Sequence, residues 1–395
     1  MTPIEKLLRE LIAIPSVNPA YVPPKDPHGG EQRVAEYLHN IARKSGLDAE
    51  LRWVLPGRPN LFVRLSPTGK IKQRILLAPH LDTVGANEFK PKIKGDRLYG
   101  RGACDTKGSV AAMFTVLQEL ARQGPRPAHT EITFVGLIDE ECGQKGSRAL
   151  VDSKCRADLA IVGEPTRLHV VTAHKGVLWL EILVHGVAAH GSHPELGRNA
   201  VHLMARIVDA LQTGYSQKIG RRSHPVLGHA TINVGAISGG TQPNIVPADC
   251  MIQLDRRMLP GETEPQVMRE IRVLVQQQTQ AVMSLPIPKV TLEKTSTNLR
   301  PFTVKIRKWQ RGPCLALETD PKLPLVQQFF SCAGQKTVAG VDFFSDAGVL
   351  AYGKIPSVLF GPGDIAQAHK PDEWVSLRQV EQGKELLLRF FQHLS

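Results

Sequence analysis

Residues 134–143 read FVGLIDEECG, an apolar run that ends in three consecutive carboxylates, Asp139, Glu140 and Glu141. A strand closing in a solvated acidic turn is the ordinary reading of such a run, because clustered charge usually marks exposed surface. A chemical reading requires partners elsewhere in the chain. Working outward, short apolar segments (Ile75–Ala78, Ile132–Val135, Leu159–Val162) alternate with a helical stretch from Gly108 to Arg122. That alternation predicts an α/β layer structure with a mixed, mostly parallel sheet flanked by helices.

The pattern changes after residue 175. Gly176–Gly186 alternates like a half-exposed strand, Asn199–Gln212 is helical, and His229–Ile237 and Asp249–Arg256 are strands. Glu264–Gln280 is helical and Ile287–Glu293 completes the series as a strand. The order β-α-β-β-α-β is the ferredoxin-like split unit. The α/β pattern resumes near residue 295, with a strand at Ser357–Phe360 and a last helix from Ser376 to Leu394. The expectation is a discontinuous domain, 1–175 and 295–395, interrupted by an inserted domain, 176–294.

Composition narrows the function. With 395 residues, 42% hydrophobic and 22% charged, the chain has material for a large core and two domains. The N-terminus carries Ile4, Leu7, Leu8, Leu11 and Ile12 at helical spacing broken by charges, an amphipathic helix rather than a secretory segment. No apolar run is long enough to span a bilayer, so a cytoplasmic location without membrane attachment is expected. Cys104, Cys142, Cys155, Cys250, Cys314 and Cys332 lack CxxC spacing, which argues against a disulfide framework or a thiolate zinc site. The net charge of +12 is dispersed, without an aromatic-interleaved basic stripe, and nucleic-acid binding is not expected.

In open α/β sheets the site lies beyond the carboxyl ends of the strands. Here those ends release imidazole and carboxylate groups. ILLAPHLDTV places His80 and Asp82 after one strand. Imidazole is a common metal ligand, and a carboxylate two residues away can fix its tautomer. YGRGACDTKG presents Asp105 before a helix, where a helix cap is the plainer role. AIVGEPT leaves Glu164 at a strand end, and GPGDIAQAHKPDEWV holds His369 in a late loop. Singly, each has an ordinary structural explanation. Together, two histidines and several carboxylates make an N/O donor set suited to zinc, with cobalt or manganese as alternatives.

These motifs, PHLDTV, GRGACDTKGSVAAM, DEECGQKGSR, VGEPT, AHGSHPELGRNA, GGTQPNIVP, DRRMLPGET and AHKPDEW, resemble in order and spacing those of the M20 metallopeptidase family. The resemblance covers nearly the whole chain. It implies two zinc ions, one held by His80 and Glu164, the other by Glu141 and His369, with Asp105 bridging and followed by a cis peptide bond. It implies that Glu140 is the general base, that Asp82 orients His80, and that His190 donates to the oxyanion. Asn244 and Arg257 match positions that hold a substrate carboxylate, and Arg256, its strand neighbour, should face the other way. Neighbouring His193 carries no assignment. The inserted domain is expected to serve as lid and homodimer interface.

The implied function is hydrolysis of the linear amide of an N-acyl amino acid, in the manner of acetylornithine deacetylase or succinyl-diaminopimelate desuccinylase. A dipeptidase or carboxypeptidase acting on a dipeptide is the alternative within the class. A binding relative without catalysis is a further one, against which the complete set of ligands and base argues.

Overall fold

The computed structural model describes residues 1–86, 88–122, 126–284, 301–308 and 312–394. The chain forms two compact units, Met1–His174 with Leu317–Ser395, and Lys175–Ala316.

The first unit opens with helices α1 (Pro3–Ala13) and α2 (Gln32–Lys44). Thr2 caps α1 by accepting the N–H of Glu5, and the spaced residues Ile4, Leu7, Leu8, Leu11 and Ile12 are buried, as their periodicity predicts. Strands β1 (Asp48–Leu55), β2 (Arg58–Leu65) and β3 (Gln73–Leu77) follow, then α3 (Gly108–Arg122), β4 (Thr130–Gly136), α4 (Lys145–Asp152), β5 (Leu159–Val162) and β6 (Val171–His174).

The second unit contributes β7 (Gly176–His185), α5 (Ala200–Ala210), β8 (Thr231–Gly239), β9 (Asp249–Met258), α6 (Glu264–Met283) and β10 (Thr303–Lys308). The chain then returns to the first unit through β11 (Leu317–Glu318), α7 (Pro324–Ala333), β12 (Ala339–Val341), α8 (Asp346–Tyr352), β13 (Ser357–Leu359) and α9 (Leu377–Gln392).

The main sheet runs β1-β2-β4-β3-β5-β13-β6-β11, with β12 also paired to β6. Its central neighbours β4, β3, β5 and β13 are mutually parallel. Their carboxyl ends therefore open on one edge. Alternation divides the buried side chains: Ile75, Leu77, Ile132, Phe134, Leu159 and Ile161 pack with α1, α2, α3, α7 and α9, while Leu76, Val135, Ala160 and Val162 pack with α4 and α8. Helices thus cover both faces, and the apolar strands are apolar because neither face meets water.

In the second unit the antiparallel sheet runs β8-β9-β7-β10 with α5 and α6 as its helices, a split β-α-β-β-α-β order closed by Thr303–Lys308. Its extent differs from expectation. The unit continues to Ala316 rather than closing at 294, because β10 pairs with β7 from Thr303↔His185 to Lys308↔Leu180. The strand expected at Ile287–Glu293 lies outside the described residues.

Candidate metal centre

His80, Glu164 and the 139–141 turn emerge where β3, β5 and β4 end, and His369 lies beyond β13. The acidic stretch 139–141 is not solvated: Glu140 and Glu141 are each 7% exposed. Asp139 takes a left-handed conformation (φ 67°), and its carbonyl accepts the N–H groups of Gly143 and Gln144. This is the turn at the strand end that two consecutive carboxylates need in order to face one region.

Two groups of donors form. His80, Asp105 and Glu164 bring ligand atoms within 4.8 Å of one another, and so do Asp105, Glu141 and His369. Asp105 belongs to both. Its Oδ1 lies 3.0 Å from His80 Nε2 and its Oδ2 3.3 Å from His369 Nε2, so the carboxylate spans the imidazoles rather than capping α3. His369 Nε2 is also 3.1 Å from Glu141 Oε2. The Asp105–Thr106 peptide is cis, and the Thr106 hydroxyl donates to the Gly163 carbonyl at 2.7 Å, tying this loop to the strand end that carries Glu164.

Asp82 is buried under the site. Its Oδ1 and Oδ2 accept the N–H groups of Glu140 and Glu141, both at 3.1 Å. His80 Nδ1 faces the same residue, 3.0 Å from its carbonyl and 3.5 Å from Oδ1. One residue therefore orients the imidazole and the backbone of both glutamates.

Four residues in this support, Asn18, Tyr21, Glu31 and Arg58, had no assignment from sequence. Asn18 Nδ2 donates to Asp82 Oδ2 (2.8 Å) and Asp139 Oδ1 (3.0 Å). Arg58 forks onto Glu31 (2.7 and 2.6 Å) and reaches Asp139 (3.0 Å). Tyr21 donates to the Glu141 carbonyl at 2.6 Å. Their partners lie 27 to 121 positions away, beyond the reach of any local pattern.

The electrostatics fit a cation pair. Burial pushes the carboxyls of Glu140 and Glu164 well above their usual range, and neighbouring carboxylates push further. Burial likewise raises Asp346 to about 7, with Asp82 and Asp139 adding to it. Asp105 resists burial because His369 and His80 hold it below its ordinary value. Hydrogen bonds to the Asp105 and Glu141 carboxylates push His369 up to about 10. Glu164 Oε1 is buried without a hydrogen-bond partner among the described residues, and Glu164 is one of the three residues of the first donor group. Crowded carboxylates, an orphaned oxygen and two imidazoles are the donor set that a pair of divalent cations would satisfy.

The remaining candidates lie in the second unit. The short strand Ala189–His190 pairs with Ile245–Val246, and the Gly191 N–H donates to the Asn244 carbonyl at 2.7 Å, so His190 and Asn244 lie on adjoining segments. His190 is exposed, with Nδ1 2.7 Å from the Ser192 hydroxyl. Arg257 forks onto Asp255 (2.8 and 2.9 Å), whereas Arg256 is buried on the opposite face and pairs with Glu262.

The family model described as Peptidase family M20/M25/M40 matches residues 76–393. The chain belongs to this family, and it is a hydrolase. It is 30% identical over 397 residues to acetylornithine deacetylase of Edwardsiella ictaluri (strain 93-146), covering 98% of this chain and 96% of that protein. Its fold is similar to that of aminopeptidase PepT from Bacillus cereus ATCC 10987, at a TM-score of 0.78 and 19% identity, over 99% of this chain and 98% of that one. An M20 family metallo-carboxypeptidase, Sso-CP2 from Sulfolobus solfataricus, matches with a TM-score of 0.75 at 19% identity, over 100% and 99% of the two chains. Among the described residues no helix is long and apolar enough to cross a membrane.

Proposed function

We propose that this hydrolase removes the acyl group from an N-acyl amino acid, in the manner of acetylornithine deacetylase or succinyl-diaminopimelate desuccinylase. The observation that carries the reading is the pair of donor groups sharing Asp105, with the buried Glu140 beside them. The name of the relative at 30% identity supports the choice of an amide-linked acyl substrate.

His80, Asp105 and Glu164 would hold one Zn2+, and Asp105, Glu141 and His369 the other, with Co2+ or Mn2+ as substitutes. When bound, the two cations supply Lewis acidity that makes a water more acidic and polarises the amide carbonyl. Glu140 takes a proton from the attacking water as its oxygen bonds to the carbonyl carbon. It returns that proton to the amine as the C–N bond breaks, releasing a carboxylate and a free amino acid.

Asp82 keeps His80 and the Glu140–Glu141 backbone in register. His190 is assigned to the oxyanion, where a preorganised donor acts on developing charge. Asn244 and Arg257 are assigned to the substrate carboxylate, Arg257 through its planar fork. The second unit is assigned a lid and homodimer role, in a cytoplasmic enzyme.

The test is a hydrolysis screen of zinc-loaded protein against N-acetyl, N-succinyl and N-formyl amino acids and dipeptides. Acyl amino acids should turn over, chelation should abolish the activity, and zinc or cobalt should restore it. Faster cleavage of dipeptides would move the reading to a dipeptidase or carboxypeptidase. Activity surviving complete metal removal would exclude the mechanism.

A further inference from the structure

Glu373 lies four residues beyond His369, in the same AHKPDEW stretch. It is buried, and its carboxylate turns back onto the glycine-rich loop that carries Asp105. Oε1 accepts the N–H groups of Cys104 (2.9 Å) and Asp105 (3.0 Å). Oε2 accepts the N–H of Gly102 (3.0 Å) and an Arg101 guanidinium N–H (2.6 Å). Four donors on one carboxylate match its four lone-pair sites.

Arg101 extends the connection. Its Nε donates to the Gly85 carbonyl at 3.1 Å, and a second guanidinium nitrogen donates to the carbonyl of His369 at 3.4 Å. The Gly100 N–H in turn donates to the Glu373 carbonyl at 3.0 Å. The main chain at Asp105 and the main chain at His369 are therefore joined through one buried ion pair, although 264 positions separate the two residues, from 105 to 369. His369 needs such support, because its side chain is 54% exposed and its backbone is left-handed (φ 62°).

We propose that Glu373 is a positioning residue that fixes the approach of His369 to Asp105, and with it the cation position formed by Asp105, Glu141 and His369. This rests on the two-cation reading above. His80 and Glu164 leave β3 and β5 directly, so their position depends less on the loop contact. In Glu373→Gln one acceptor oxygen becomes an NH2 facing N–H donors, and the two loops lose half of their connection.

The experiment titrates chelator-stripped wild type, Glu373→Gln and Arg101→Lys with Co2+, followed by equilibrium dialysis and visible absorption. Wild type should take up two Co2+. Glu373→Gln should bind the second about 10–100-fold more weakly, the range for loss of a group that orients a ligand, and the first with a smaller loss, since Asp105 is common to both. Its absorption band for the second Co2+ should shift, and hydrolysis should return as excess Co2+ refills that position. Arg101→Lys keeps the main-chain contacts of Glu373 and should move both readouts the same way by less; should Glu373→Gln unfold, this variant decides. Unchanged second-site affinity and band, or equal loss of both cations, overturns the inference alone. A wild-type chain that takes up a single Co2+ overturns the two-cation reading and this inference with it.

Discussion

Glu140 and Glu141 are adjacent, equally buried and both pushed up by burial, yet their surroundings differ. Glu141 lies against His369 and shares a donor group with Asp105, whereas Glu140 belongs to neither donor group. The separation follows from the left-handed turn at Asp139 and from Asp82, which takes one backbone N–H from each glutamate. Removing the two carboxylates should therefore have different signatures. Glu140→Ala should keep two metals and lose turnover by about 10²–10⁴-fold, the usual contribution of a general acid–base group. Glu141→Ala leaves Asp105 and His369 as a two-donor remnant and should lose one metal. Metal analysis beside initial rates checks this. Equal metal content and equal rate loss in the two variants would remove the division of roles.

At the scale of elements, the 139–141 turn is held from below by a buried cluster delivered by α2 and β2. Glu31, at the start of α2, accepts both arms of Arg58 from β2 and also the N–H of Asp139 at 3.1 Å. Glu31 is fully buried and the Arg58 side chain is 12% exposed. Taking away the guanidinium leaves a carboxylate without its counter-charge, which typically costs about 3–5 kcal/mol. Arg58→Met should show a loss of that size in urea unfolding at fixed metal concentration; a loss below about 1 kcal/mol would mean that water replaces the arginine. None of this cluster was legible in advance. The convergence of His80, Glu141, Glu164 and His369 was legible, because each lies beyond the end of one of four parallel neighbours, so a linear pattern maps onto one edge; Asp105 reaches the same place from the loop before α3. Asn18, Glu31 and Arg58 follow no such rule: their chemistry arises from packing between segments far apart in sequence. Glu373 sat inside a quoted motif, yet a glutamate in a loop gives no sign that it will accept four hydrogen bonds.

For the molecule as a whole, the α/β pattern and the first five elements of the split β-α-β-β-α-β order were readable because hydrophobic period changes at each element. The far limit of the second unit was not. β10, TVKIRK, sets only Val304 and Ile306 among charged and polar residues, the composition of a sheet edge, and such a strand carries little apolar signal. The role proposed for His190 has a consequence at this scale. If the second unit supplies His190 to the centre of a partner chain, neither Glu140→Ala nor His190→Ala can work alone, but a hybrid of the two contains one complete centre. Its Glu140 comes from the His190 variant and its histidine from the Glu140 variant. Random exchange at equal concentrations makes half of the dimers hybrid with one working centre of two, so activity should recover to about a quarter of wild type. The measurement is the hydrolysis rate after mixing, with exchange verified by mass-tagged subunits. No recovery despite complete exchange would remove the proposal that His190 acts on the centre of a partner chain.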